Sequence, residues 1–310
     1  MDVKILEQPY KPGKVPIVDV VNINDLDVYT ETWSVPNGVE IKGFVLIIHG
    51  FAEFSNLYYG ILDFLSNNGY ECLFFDQRGA GRTSQGKLKG VTNDAILMSD
   101  IDELISLKVL PKLETIKNFY LVGHSMGGGI ILSYLISGKY NERIRGAVTV
   151  GPLFYNHPKT DPNFILKLGL KFVPKIMPNF QFNAALKKEY ITSNTVWQDY
   201  LVAEPLAKAI GSARQFADML DRGKRLLSEE FYKSENPSSK IIKETSILLL
   251  VGEDDGINDP QGSKDYMKVC PIEQKELILY PKARHSLFIE VDEIVDKVRD
   301  DVLKWLAEHS

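Results

Sequence analysis

The sequence predicts an α/β protein: a mostly parallel central sheet covered on both faces by helices, with a helical cap inserted after the sixth strand. Three observations carry this. Strand-like runs near 17–21, 28–35, 43–48, 71–75, 118–123, 144–150, 246–251 and 275–280 alternate, from the third onward, with helix-length stretches. Runs such as Ser246-Ile-Leu-Leu-Leu-Val251 are apolar without interruption, as expected of strands buried on both faces. Finally, far more chain lies between 150 and 246 than one crossover helix requires. The expected organisation is a core of 1–151 and 240–310, interrupted by a cap of 152–239.

Taken in order, the first two runs form a leading pair joined by the polar turn Asn22-Ile-Asn-Asp25, and helices are expected over 93–109 and 126–137. In the cap, Asp161 and Pro162 suit an N-cap and first helical position, and Pro174 should stop that helix near Val173. Lys167 and Lys171 share one helix face and Lys175 extends the series. The other sides are apolar, so Phe164, Ile165, Leu168 and Phe172 are expected either to wall an acyl tunnel or to settle into lipid. Helices over 261–269 and 291–308 complete the core.

Composition narrows the function classes. A length of 310 with 44% apolar residues suffices for one such domain plus an insertion, and a net charge of −5 suggests no nucleic-acid partner. Cys72 and Cys270 form no metal or redox motif and read as reduced core thiols. No signal peptide begins the chain, and no apolar run approaches the roughly 20 residues that span a bilayer. The expectation is a cytoplasmic protein, attached to membranes or lipid droplets only peripherally, with no obligate protein partner. Gly81-Arg-Thr-Ser-Gln-Gly86-Lys87 imitates a phosphate-binding loop until Leu88, which stands where magnesium needs a hydroxyl.

The most informative string is Gly123-His124-Ser125-Met126-Gly127, between a strand-like run and a small-residue helical stretch. A serine there sits on a sharp strand-to-helix turn, with glycines where a Cβ would not fit. Serine needs a histidine base and a carboxylate to orient it. His124 should point away along its strand, His157 and His309 lie in loop and terminus, and His49 follows an earlier strand. His285, in the loop after the last strand, is the candidate base. Asp254, Asp255 and Asp259 compete for the acid; Asp255 is preferred because it can turn back beneath the sheet edge, whereas Asp259-Pro260 reads as a helix start. The order Ser125, Asp255, His285 is that of α/β-hydrolases. Oxyanion donors are expected from the N–H groups of Met126 and Phe51, with His49 bracing the loop and Glu53 anchoring it or facing a polar substrate group.

Together, His49-Gly50-x-x-Glu53, Phe75-Asp76-Gln77-Arg78-Gly79-Ala80-Gly81, Gly123-His124-Ser125-Met126-Gly127-Gly128, Gly252-x-x-Asp255 and Ala283-Arg284-His285 resemble the monoacylglycerol lipases, particularly the yeast type, over nearly the whole chain. The resemblance implies the α/β-hydrolase fold, Asp255 as the acid, and hydrolysis of monoacylglycerols to glycerol and fatty acid without metal or cofactor. Animal members carry a cysteine shortly after the acid where Asn258 stands here. A broader carboxylesterase or lysophospholipase would use the same residues, and a lipid carrier on this scaffold would use none of them.

Overall fold

The computed structural model describes residues 7–161, 169, 172–184 and 186–310. Their backbone builds one eight-stranded sheet in the order β1-β2-β4-β3-β5-β6-β9-β10, and a separate hairpin of β7 and β8. The strands are β1 (Ile17–Ile23), β2 (Leu26–Trp33), β3 (Gly43–Ile48), β4 (Tyr70–Phe75), β5 (Phe119–His124), β6 (Gly146–Val150), β7 (Gln181–Asn183), β8 (Ile210–Ser212), β9 (Ser246–Gly252) and β10 (Gln274–Tyr280). β1 pairs with β2 and β2 with β4 antiparallel; the remaining six strands run parallel. Strands β3 to β6 and β9 are buried at every residue, which accounts for their uninterrupted apolar runs. The leading hairpin closes on Asn24 and Asp25, both at positive φ, the conformation a two-residue turn needs.

Helices cover both faces. On one side α1 (Tyr59–Asn67) and the helix Asp292–Glu308 bury Leu62, Leu65, Val298, Val302 and Trp305 against the sheet; Cys72 lies in that layer. On the other lie α2 (Asp94–Leu104), α3 (Met126–Ser137) and the helices Ala213–Leu226 and Pro260–Val269, with Cys270 in their core. Both cysteines are free and buried, and burial pushes both thiols up.

The chain winds from β3 to β4 in one direction and from β3 to β5 in the other, so a crevice opens at the carboxyl ends of β3 and β5. The segment between β6 and β9 overlies that crevice and then returns down the sheet, its helix Ala213–Leu226 packing on α3 and α2. Two expectations for this segment need correction. The hairpin β7–β8 was not foreseen, because three-residue strands carry no alternation to detect. Residues 172–176 are helical with Pro174 among them, so Pro174 does not end helical structure at Val173; Met177 N–H closes on the Val173 carbonyl at 2.7 Å, a bond that needs no donor from the proline. Phe164, Ile165, Leu168, Lys167 and Lys171 lie outside the described residues.

Candidate active site

Ser125 ends β5 and caps α3 with φ 54° and ψ −117°, a conformation an L-residue holds only when its surroundings impose it. The flanking glycines make it possible. A Cβ on Gly123 would stand 2.7 Å from the Gly127 carbonyl oxygen, and one on Gly127 would stand 2.0 Å from that of Ile48. Ser125 N–H is held by the Val150 carbonyl at 2.9 Å, and its carbonyl accepts from Gly129 and Leu153 at 3.1 Å each.

Two loops bring the other candidates beside it. Asp255 follows β9 and is buried; its Oδ1 accepts the N–H groups of Ile257 (2.8 Å) and Asn258 (2.9 Å), leaving Oδ2 for His285 Nδ1 at 2.7 Å. His285 therefore donates from Nδ1 and presents Nε2 as the acceptor. Asp254 is exposed, and Asp259 caps the helix Pro260–Val269 by accepting from Gln261 N–H at 2.9 Å. Among the described residues Ser125 Oγ meets the amide of Asn258, at 3.5 Å, and makes no hydrogen bond to the His285 imidazole. Catalytic contacts of this kind commonly tighten only when substrate is bound.

The loop after β3 approaches from the opposite side. Neither Phe51 nor Met126 N–H makes a backbone hydrogen bond among the described residues, which leaves both donors free for an oxygen outside the chain. His49 braces the loop as expected. Gln77 N–H donates to its Nε2 at 2.9 Å, so Nδ1 carries the proton and donates to the Gly50 carbonyl at 2.7 Å; burial lowers the imidazole to about 4 and keeps it neutral.

Of the two roles expected of Glu53, it takes the anchor of its loop and not the substrate contact, because both its oxygens are committed: Oε2 accepts Gly50 N–H at 2.5 Å and the Tyr58 hydroxyl, and Oε1 pairs with His124 Nδ1 at 2.8 Å. Burial opposes its charge, but His124 and Tyr58 more than offset this and hold the carboxyl at about 2. His124 does not simply point away along its strand either. Its Nε2 reaches the His285 carbonyl at 3.2 Å, and the two imidazoles lie 4.7 Å apart. Both nitrogens of His124 face acceptors. Burial works against its charge, yet Glu53 and that carbonyl raise it above the ordinary histidine value. A buried ion pair thus ties the loop carrying Phe51 to the loop carrying His285. Sequence reading missed this, since adjacency in a G-x-S-x-G string says nothing about a glutamate on another strand's loop.

Above the site, Phe51 packs on Phe216 (4.9 Å between ring centres) and Phe216 stacks on Phe182 (4.4 Å), an aromatic roof supplied by the inserted segment. The roof is pinned at two places. Asp94 pairs with the buried Arg222 and with Arg225, and Glu290 accepts both Ser193 and Arg284 N–H, at 3.0 and 2.9 Å. Of the two uses expected of Phe172, the tunnel wall is corrected: it is 58% exposed and, as the lipid-facing alternative requires, faces outward with Ile176, Met177 and Phe180, whose exposures run from 51% to 79%. Among the described residues no cluster of three His, Cys, Asp or Glu side chains is arranged to hold a metal ion.

Comparison with known proteins bears on the family and the fold. The family described as serine aminopeptidase, S33 matches residues 39–292. The monoglyceride lipase of Saccharomyces cerevisiae is 36% identical over 308 residues, covering 97% of each chain. A crystal structure of a soluble variant of that lipase with a substrate analog superposes with a TM-score of 0.89 at 36% identity, covering 98% of this chain and 99% of that one. The monoacylglycerol lipase of Paleococcus ferrophilus gives 0.76 at 25% identity, covering 91% and 99%.

Proposed function

The chain belongs to the monoacylglycerol lipase family of α/β-hydrolases, and we propose that it works through Ser125, His285 and Asp255. The enzyme hydrolyses monoacylglycerols to glycerol and a fatty acid. The family description names a peptidase, but relatives matched along almost the whole chain are lipases, and the inserted roof offers an acyl chain aromatic surface rather than polar partners for a peptide.

In the proposed mechanism Ser125 Oγ attacks the ester carbonyl while His285 Nε2 takes its proton, and the carbonyl oxygen moves between the N–H groups of Phe51 and Met126. His285 passes the proton to the departing glycerol oxygen. Water then repeats the sequence on the acyl-enzyme and releases the fatty acid. Asp255 keeps the imidazole proton on Nδ1. The observation that carries the reading is the 2.7 Å contact of His285 with Asp255 beside a buried serine on a positive-φ turn.

An acyl chain against the Phe51–Phe216–Phe182 roof would gain about 0.8 kcal/mol per buried methylene, so affinity should rise with chain length. The exposed Phe172, Ile176, Met177 and Phe180, with exposed Lys175 among them, support peripheral docking on a membrane or lipid droplet, where the substrate resides. No helix among the described residues is long and apolar enough to cross a membrane. The decisive experiment profiles hydrolysis of mono-, di- and triacylglycerols, a lysophospholipid and a short p-nitrophenyl ester. Preference for long-chain monoacylglycerols is expected, and equal rates across the panel would make this a general carboxylesterase.

A further inference from the structure

We propose that Asn258 donates a hydrogen bond to the nucleophilic oxygen itself, positioning Ser125 Oγ and stabilising it while it carries charge; this rests on the reading of Ser125 as nucleophile. Asn258 is 4% exposed and fixed at both ends. Its backbone N–H is held by Asp255 Oδ1 at 2.9 Å, and a β-bridge to Asn156 pins its main chain. Its Nδ2 donates to the Gly151 carbonyl at 2.8 Å. That contact settles the amide's orientation, because a carbonyl oxygen must face the nitrogen rather than the amide oxygen. Gly151 is itself anchored, with its N–H on the Leu250 carbonyl at 2.8 Å. The planar amide has two hydrogens on one nitrogen, and with one given to Gly151 the other is aimed at Ser125 Oγ, 3.5 Å away.

Such a donor acts on a different atom from the Phe51 and Met126 amides. They meet the carbonyl oxygen of the ester; Asn258 meets the oxygen that makes and breaks the covalent bond. In acylation the Ser125 O–H proton passes to His285 as the Oγ–C bond forms, and the bond from the acyl carbon to the glycerol oxygen breaks with that proton delivered to glycerol. In deacylation water adds to the acyl carbon and gives its proton to His285, and the Oγ–C bond breaks as Oγ regains a proton. In both steps Oγ is more negative in the transition state than as a hydroxyl or ester oxygen, and a hydrogen bond to a charged atom shortens and strengthens.

The test titrates Ser125 with a fluorophosphonate in the wild type, Asn258→Leu and Ser125→Ala, and follows kcat and KM on monoolein and a p-nitrophenyl ester. Asn258→Leu should still label completely on Ser125, but with labelling rate and kcat on both substrates down about ten-fold and KM unchanged. Asn258→Asp, which keeps the size and removes both hydrogens, should lose at least as much. Wild-type rate per labelled site in Asn258→Leu would overturn the proposal, and so would a reduced labelled fraction whose remaining sites react normally, since that is a purely structural role. If Asn258→Leu does not fold, an undiminished rate in Asn258→Asp overturns it instead. A wild-type enzyme that carries no label on Ser125 would remove the nucleophile assignment and this proposal with it.

Discussion

The floor and the roof of the site are built on opposite terms. Below the substrate, the polar groups of His49, Glu53 and His124 have partners in the protein, and the two histidines near one glutamate are pushed opposite ways, His49 down by burial and His124 up by Glu53 against the effect of burial. Above it, the inserted segment contributes stacked phenylalanines, a few pins at Asp94 and Glu290, and a run of outward-facing apolar side chains. On the proposed mechanism the floor is preorganised for one reaction and the apolar roof selects what is presented to it, so the two should respond to different perturbations.

The largest expected effect belongs to the floor. Ser125→Ala should lower kcat about a million-fold with an unchanged urea midpoint; a tenth of wild-type turnover would separate the elbow from the chemistry. Next, Glu53→Gln leaves His124 without its ion-pair partner in a buried place, and breaking such a pair costs about 3–5 kcal/mol, readable by urea unfolding. A loss below 1 kcal/mol would mean the two loops are held by something else. Replacing Phe172, Ile176, Met177 and Phe180 together by serine probes the roof alone: partitioning to vesicles should fall about a hundred-fold while a soluble short ester is turned over within a factor of two. Loss of the soluble activity would show that the outer surface of the roof also shapes the floor. The smallest effect is a pH dependence. His124 is raised above its unfolded value of 6.5, so the stability it contributes is fully present below pH 6.5 and is lost as pH rises through its folded value. Wild-type stability should decline gently above pH 6.5, and the same urea series in Glu53→Gln should lack that slope.

What the sequence disclosed follows the same division. Ser125, Asp255 and His285 could be nominated because each stands in a local pattern, a strand run followed by its turn, and β3, β5, β9 and β10 were visible as apolar runs. Partnerships between distant segments were not visible. Nothing near His124 announces Glu53, nothing near His49 announces Gln77, and Asn258 reads as an ordinary turn residue until the fold sets it beside Ser125. The roof was least legible, since an amphipathic stretch looks alike whether its apolar side faces a tunnel or the outside. Phe172 faces the outside.

The seclusion of Cys72 and Cys270 has a practical side. Oxidised lipid contains hydroperoxides and aldehydes, electrophiles that accessible thiolates attack first. Here both sulfurs are walled into the two helix layers and kept protonated, and the position three residues beyond Asp255 carries the amide of Asn258 instead of sulfur. Such a catalyst should keep its turnover in rancid lipid.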